Sequence, residues 1–351
     1  MKSEKVTLYF KQGTSDKVYN ASIEEVENDG FVVNFAYGRR GATLTTGTKT
    51  KTPVDYAAAK KIYAELVKSK TSKGYTPGEE GPQYVHTDAD TKDMGVQCQL
   101  LNFIAESQVT QFIRDDDWWA QEKYDGKRML LHKADTVTAI NRKGVSVGAP
   151  DTILTSAGKV DRNYLVDGEA VGETLFAFDL LEIHHMNVRS TPYSQRLAHL
   201  ENLGLKDSIV VVETAKTQEE KQRLYDRLKT SRAEGIVFKK HSASYTAGRP
   251  NSGGTQVKFK FYATAFVVVT RINDTRSVAV AVLDGDNQIG VGNVTIPPNQ
   301  DVPVVNAIVE VRYLYAYKGG SLYQPTYLGE RDDMGVEDCS SSQLEYKRDT
   351  E

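Results

Sequence analysis

The chain has little cysteine. Cys98 and Cys339 are the two in 351 residues, too few for a disulfide framework or a four-cysteine zinc site, and they read as ordinary reduced thiols. Long apolar runs are also missing. None approaches the roughly 20 residues that a membrane-spanning helix needs, so no membrane contact is expected. The opening "MKSEKVTLYF" has no apolar core followed by a small-residue cleavage site, which argues against secretion and for a cytoplasmic location. Nor is there a strong charge of one sign. A net charge of −3, taken over the whole chain, argues against a nucleic-acid binder, because phosphate contacts are made by Lys and Arg.

That average conceals a division. Residues 1–78 carry 13 Lys and Arg against 8 Asp and Glu, a balance of +5, whereas residues 79–117 carry 2 against 9, a balance of −7. The basic end suits a polyanion and the acidic segment does not. With 39% hydrophobic and 26% charged residues, the chain is globular and long enough for two or three domains, each with its own core.

Hydrophobic patterning divides the chain in the same places. "KVTLYF", "KVYNASIEEVE" and "GFVVNFAYG" alternate as strands do, with a turn expected at Asn28-Asp29-Gly30. In "VDYAAAKKIYAELVKSK" the residues Val54, Ala58, Ile62 and Leu66 share one helical face, with Pro53 near the start and Gly74 beyond the cationic end. Residues 79–97 combine Pro, Gly and acids without periodicity and read as an acidic linker. From about 98 to 262, strand-like runs alternate with helical stretches such as "SQRLAHLENLG" and "TQEEKQRLYDRLKT". From 263 to 351 short strands with Gly, Asn and Pro turns predominate, the pattern of a small β-barrel.

The densest chemistry lies in "WWAQEKYDGKRMLL", residues 118–131, where Lys123, Lys127 and Arg128 crowd together. Lys-x-Asp-Gly alone says little, since composition yields it in roughly one chain in ten of this size. A lysine used as a nucleophile must lose its proton, which at neutral pH costs about 4–5 kcal/mol. Neighbouring cations or a metal ion lower that cost, and they also neutralise phosphate oxygens.

"EKYDGKR" resembles the nucleotidyltransferase motif of ATP-dependent DNA ligases, RNA ligases and mRNA capping enzymes, in which the lysine forms a covalent lysyl-nucleotide. "NRKG" (141–144), "VDGEAV" (166–171), "FAFDLL" (176–181), "EGIVFKK" (234–240) and "VKFK" (257–260) follow in that family's order, and the likeness extends over about residues 98–335. "GGSLYQPTYLGERDD" (319–333) resembles the terminal motif of the oligonucleotide-binding barrel in DNA ligases and capping enzymes. The first segment, with "NFAYGRRGATLTTGTKTKTPVDYAAAKKIYAELVKSKTSKGY", resembles a WGR domain, Tyr37 standing for the usual tryptophan.

These resemblances imply an α+β multidomain protein: a small β-rich WGR domain (1–78), the linker (79–97), an α/β nucleotidyltransferase domain of the ATP-grasp-like adenylation type (98–262) and a C-terminal OB-fold β-barrel (263–351). They imply an ATP-dependent DNA ligase that seals 5′-phosphate/3′-hydroxyl nicks, with Mg²⁺ or Mn²⁺ as cofactor and nicked double-stranded DNA as partner. The protein would act as a monomer in a bacterial or phage-infected cell, associated with the nucleoid through DNA.

Carried over by position, Lys123 is the nucleophile, Gln121 reads the adenine edge, Glu122 is a further nucleotide contact, Arg128 holds the ribose side, and Asp125 orients the lysine. Glu169 and Glu234 contact the sugar or bind the divalent ion, Phe178 lies against adenine, and Lys258 and Lys260 clamp the α-phosphate. Arg331 and Asp333 orient pyrophosphate, although Met334 and Tyr323 stand where the family usually has cations. Arg142, Tyr37, Arg39, Arg40, Lys49 and Lys51 are the expected DNA contacts, and Arg196 and Arg249 are further candidates. The rival readings are a capping guanylyltransferase or RNA ligase, which share the lysine motif, and a catalytically inactive DNA-break-binding protein. The charged residues retained in all the nucleotide motifs weigh against the last, and an NAD-dependent ligase would carry zinc cysteines.

Overall fold

The computed structural model describes residues 4–12, 15–26, 30–77, 84–85, 93–285 and 287–347. The turn expected at Asn28-Asp29 and most of the acidic linker lie outside them. The chain divides into two compact units, Met1–Tyr225 with Ile236–Phe259, and Asp226–Gly235 with Lys260–Glu351.

The first unit begins with a five-stranded sheet in the order β4-β3-β2-β1-β5, from β1 (Glu4–Gln12), β2 (Ser15–Val26), β3 (Gly30–Arg39), β4 (Thr45–Thr48) and β5 (Thr76–Pro77). Period-two alternation turns Tyr19, Ala21 and Ile23 of β2, with Phe31 and Val33 of β3, onto helix α1 (Tyr56–Thr71), which offers Ala59 and Leu66. The helix starts two residues later than the face beginning at Val54 suggests. The Asp55 side chain accepts from the Ala58 amide at 2.9 Å and so caps the first turn. Val54 is held outside the helix by paired backbone bonds to Phe31.

The rest of this unit rests on two sheets. The first has seven strands: β9 (Lys127–Lys133), β10 (Val137–Asn141), β11 (Ser146–Val147), β13 (Tyr164–Val171), β14 (Thr174–Ile183), β15 (Met186–Asn187) and β16 (Ile209–Val211). The second runs β17-β8-β18-β19-β7, from β7 (Asn102–Phe103), β8 (Trp118–Lys123), β17 (Thr214–Ala215), β18 (Gly235–Lys240) and β19 (Gln256–Lys260). A short pair joins β6 (Tyr84–Val85) to β12 (Ala149–Pro150).

Helices α3 (Asp151–Gly158) and α4 (Tyr193–Glu201) cover the seven-stranded sheet, burying Ile153, Ala157, Leu197 and Leu200. Helix α2 (Glu106–Arg114) is capped at its C-terminal end by a fully buried lysine. Lys221, in α5 (Gln218–Thr230), donates to the carbonyls of Phe112, Asp115 and Trp118 at 3.2, 2.6 and 2.9 Å. A cation there also opposes the negative end of the helix.

Arg196 and Arg249, candidates for ligand contact, have structural employment. Arg196 is fully buried, grips Asp179 with two bonds of 2.8 and 3.0 Å, and donates to the carbonyls of Thr191 and Ala243. Arg249 donates to the Leu101 carbonyl at 2.6 Å.

The second unit is built on an antiparallel sheet in the order β22-β21-β20-β23-β26, from β20 (Ala263–Ile272), β21 (Ser277–Asp284), β22 (Asn287–Thr295), β23 (Ile308–Tyr313) and β26 (Thr326–Glu330). Its valine-rich inner face forms one core. A small pair, β24 (Tyr315–Ala316) and β25 (Leu322–Tyr323), explains one departure from the motif. Tyr323 stacks on Tyr315 with centroids 4.8 Å apart and meets Tyr317 edge-on. Met334 packs against Val268, Ile308 and Cys339, an apolar setting where a cation would be costly. Both cysteines are buried free thiols.

Candidate active site

Five strands, the turn from β8 into β9 and one hairpin converge on a cavity of about 480 Å³ in the first unit. Strand β8 delivers Gln121, Glu122 and Lys123; the turn into β9 delivers Tyr124, Gly126, Lys127 and Arg128; β13 and β14 supply Glu169 and Phe178. Asn141, Arg142 and Lys143 come from the β10–β11 hairpin, Val237 and Lys239 from β18, and Gln256 and Lys258 from β19. Lys123, Lys127, Arg128, Arg142, Lys143, Lys239 and Lys258 make seven cations, against two carboxylates, Glu122 and Glu169. A partly apolar pocket with that imbalance suits a ligand with a flat ring and several negative oxygens.

The turn after Lys123 is tight for a specific reason. A Cβ on Gly126 would lie 2.2 Å from the Ala170 carbonyl oxygen, so no larger residue fits between the two strands. Tyr124 is stacked on Phe176 with centroids 3.8 Å apart, which fixes the backbone next to the nucleophile candidate.

Arg128 is held by Asp167, a residue the motif reading left without a role. Its Nε and Nη2 donate to the two Asp167 oxygens at 2.5 and 2.6 Å, and the Asp167 carboxylate is fully buried. Tyr245 donates to the same carboxylate at 3.1 Å while its oxygen accepts from the Gln99 amide at 2.7 Å. Burial by itself pushes the guanidinium value down, but the charge and hydrogen bonds of Asp167 outweigh it and hold Arg128 firmly cationic. Nη1 is the nitrogen that Asp167 does not use. The Arg128 guanidinium lies 4.7 Å from the Phe178 ring centroid.

Lys239 is the second unforeseen member. It is 3% exposed and donates to the Phe178 carbonyl at 3.0 Å, with its ammonium 4.5 Å from the Phe178 ring. Burial lowers its value from 10.5 to about 7. "EGIVFKK" carried a readable signal: alternation along β18 places Val237 and Lys239 on one face, the face that lines the cavity.

The folded chain therefore binds fewer protons than the unfolded chain between about pH 7 and pH 10, and stability rises with pH across that window. Lys239→Met is expected to stabilise the fold at pH 6–7 by roughly 1–3 kcal/mol, because it removes a buried cation. The gain should shrink towards pH 10, where the wild-type lysine is neutral. Denaturant titrations at pH 6.5 and 9.5 check this, and an equal gain at both values would contradict it.

The other expected residues are distributed as follows. Gln121 is buried and donates to Thr214 Oγ1 at 2.8 Å. Lys258 lies 4.3 Å from the Phe103 ring centroid. Asp125 and Arg249 are not among the residues lining the cavity. Lys260 and Glu234 belong to the second unit, where they form a buried ion pair of 2.7 Å and Lys260 also donates to Gln324 at 3.1 Å.

In that unit Arg331 is occupied. It makes two bonds of 2.7 Å to Asp333 and one of 2.9 Å to Glu310, and the pairing holds the Asp333 carboxyl below its ordinary value. In the first sheet Tyr37 is 45% exposed beside Tyr19, Arg40 pairs with Asp16 at 3.2 Å, and Lys49 sits 5.3 Å from the Phe35 ring. Lys51 is exposed and Arg39 ends β3.

Comparison with known proteins finds a likeness for each of two segments. Residues 116–260 match the RNA ligase family model, and residues 4–82 match that of the WGR domain. Each match says what that segment of the chain is similar to. A solved structure of a Lig E DNA ligase aligns with a TM-score of 0.52 at 18% identity, covering 67% of this chain and 99% of that one. A second, Pmar-Lig_PreS3, aligns with a TM-score of 0.51 at 15% identity and 67% coverage of each chain. These likenesses establish the fold.

Among curated proteins, the chloroplastic stromal processing peptidases of Oryza sativa subspecies indica and japonica are 30% identical over 191 residues. The match covers 50% of this chain and 14% of theirs, so the chain spans about a seventh of the length of those relatives. Residues 116–260, which match the RNA ligase family model, contain Lys123, Glu169, Phe178 and Lys258, all on the cavity wall. No helix among the described residues is long and apolar enough to cross a membrane.

Proposed function

We propose that this protein is a DNA ligase that uses ATP to seal 5′-phosphate/3′-hydroxyl nicks in duplex DNA. The observation that carries the reading is Lys123 at the wall of a cavity with seven cations, inside a segment that matches a ligase family. In the first step Lys123 Nζ, deprotonated, attacks the α-phosphorus of ATP. A P–N bond forms, the bond to the bridging oxygen breaks, and pyrophosphate leaves. In the second step a 5′-phosphate oxygen of the nick attacks the lysyl-AMP, releasing Lys123 and forming a DNA-adenylate. In the third the 3′-hydroxyl attacks that 5′-phosphorus and AMP departs.

The residues divide this work. Phe178 offers a face to adenine and Gln121 an amide to its edge, while Lys258 and Lys127 neutralise charge as it builds on the α-phosphate. Arg128, held by Asp167, reaches the ribose with Nη1. Glu169, a carboxylate on the cavity wall, would hold Mg²⁺ or Mn²⁺ together with phosphate oxygens, the mode Mg²⁺ favours. Such an ion supplies charge neutralisation at the phosphates. Glu234, the other carboxylate assigned to the ion or sugar, is engaged by Lys260.

The antiparallel sheet of the second unit supports an OB-fold for residues 263–351, with Arg331 and Asp333 acting on pyrophosphate. The WGR domain, with Tyr37, Arg39, Arg40, Lys49 and Lys51, would hold DNA by its phosphates, as would Arg142. The RNA ligase family match makes RNA the specific competing substrate.

The deciding experiment incubates the chain with α-labelled ATP, GTP or NAD and Mg²⁺, then follows label retained on a denaturing gel. A nicked duplex with DNA or RNA on the 3′ side follows. Label from ATP and sealing of the all-DNA nick are expected. Label from GTP alone, or sealing confined to RNA, would overturn the reading.

A further inference from the structure

Among the described residues, two side-chain hydrogen bonds join the WGR segment to the strands of the cavity. Thr43, buried in the loop between β3 and β4, donates its hydroxyl to the Ala170 carbonyl at 2.7 Å. Thr45, the first residue of β4, accepts from Lys127 Nζ at 3.0 Å. Leu44, between them, turns the other way and packs with Val18 and Ala36 inside the WGR domain. The alternation anchors the loop on one side and leaves two hydroxyls to reach across on the other.

The atoms they reach are not incidental. Ala170 follows Glu169 in β13 and pairs in register with Lys127 of β9. Its carbonyl is the one against which Gly126 is packed, next to the turn that carries Lys123. Both Glu169 and Lys127 line the cavity.

We infer that Thr43 and Thr45 are positioning residues for the nucleotide site: the WGR loop pins the ends of β9 and β13 and aims Lys127. This rests on the ATP-dependent reading of the cavity. The physical reason is entropic. A lysine has many rotamers, and one held by a hydroxyl before the ligand arrives loses less freedom on binding its phosphate. The Thr43 bond, being buried, also cannot be replaced by water when its donor is removed, so the Ala170 carbonyl is left unpaired beside the turn.

The test uses the full chain with Thr43→Val, Thr45→Val and the double substitution, each beside its serine counterpart. Amide exchange over residues 124–128 and 169–171, read without nucleotide, should be about three- to tenfold faster in the double variant, the range one or two hydrogen bonds command. The ATP concentration that half-saturates label transfer should rise by a similar factor while the maximal rate stays within about twofold. The serine variants should restore both. Thr45→Val alters an exposed side chain, so it reports even where Thr43→Val disturbs folding. Unchanged exchange would overturn the inference. So would faster exchange with unchanged ATP dependence in a chain that labels normally. Absence of label in the unaltered chain would instead remove the ATP reading, and the exchange result would still decide whether the loop pins the strands.

Discussion

Lys123→Ala is expected to abolish label transfer from ATP, by at least about ten-thousand-fold, because no other group takes the place of a covalent nucleophile. The variant should fold normally, since the side chain is only partly buried at the cavity wall. Lys123→Arg sharpens the test. It keeps the charge and most of the length, but a guanidinium does not give up its proton in a protein, so it should be as inactive as alanine. Pre-adenylated nicked DNA bypasses the first two steps. Both variants should therefore seal that substrate far better than they seal a plain nick in the presence of ATP. Equal failure on both substrates would mean that Lys123 acts in positioning rather than as nucleophile. Label retained by Lys123→Ala would remove it from the chemistry altogether.

Asp167→Ala is expected to have the largest effect on stability, about 3–5 kcal/mol, because it leaves the Arg128 guanidinium buried without its partner. The side-chain exposures are 14% for Arg128 and 0% for Asp167, so water has little access to repair the loss. Tyr245 loses its acceptor in the same change. A double substitution, Asp167→Leu with Arg128→Met, removes both charges. It should recover most of the lost stability while leaving nucleotide transfer impaired. Thermal and denaturant unfolding of the two singles and the double measure the coupling. Additive losses would show that the pair does not act as a unit.

These two residues also show what was legible in the sequence. Lys123, Glu169, Phe178 and Lys258 stand in short motifs whose order is readable along the chain, and the fold gathers all four around one cavity. The strands that carry them followed from period-two alternation, as in "YLVDGEAV" and "TLFAFDLLEI". Asp167 was in view within "VDGEAV", yet its partnership with Arg128 spans 39 positions and that with Tyr245 spans 78, distances at which no local pattern reports a contact.

Alternation puts Lys258 and Lys260 on one strand face, and Lys260 also meets Glu234 and Gln324, partners the pattern does not contain. The start of helix α1 was misjudged because hydrophobic spacing counts Val54 in the face, whereas the Asp55 cap decides where the helix begins. Helices α2 and α3 are short, with few periodic positions, and neither stood out from the strands around it.

The crowd of cations around the cavity has a thermodynamic reach beyond catalysis. The basic groups brought together by folding repel one another, although Lys239 is only partly charged near neutral pH and Arg128 is offset by Asp167, and the unfolded chain, where they are dispersed, is spared that cost. Any polyanion that binds the folded form offsets the repulsion, and the gain grows as RT ln(1 + [L]/Kd), about 2.7 kcal/mol at a hundredfold excess over Kd. The melting behaviour of such a protein is then a reading of its surroundings as much as of its sequence. On the proposed ATP-binding reading, the chain would melt higher in a nucleotide-rich medium than in dilute buffer, and loss of nucleotide would weaken its fold.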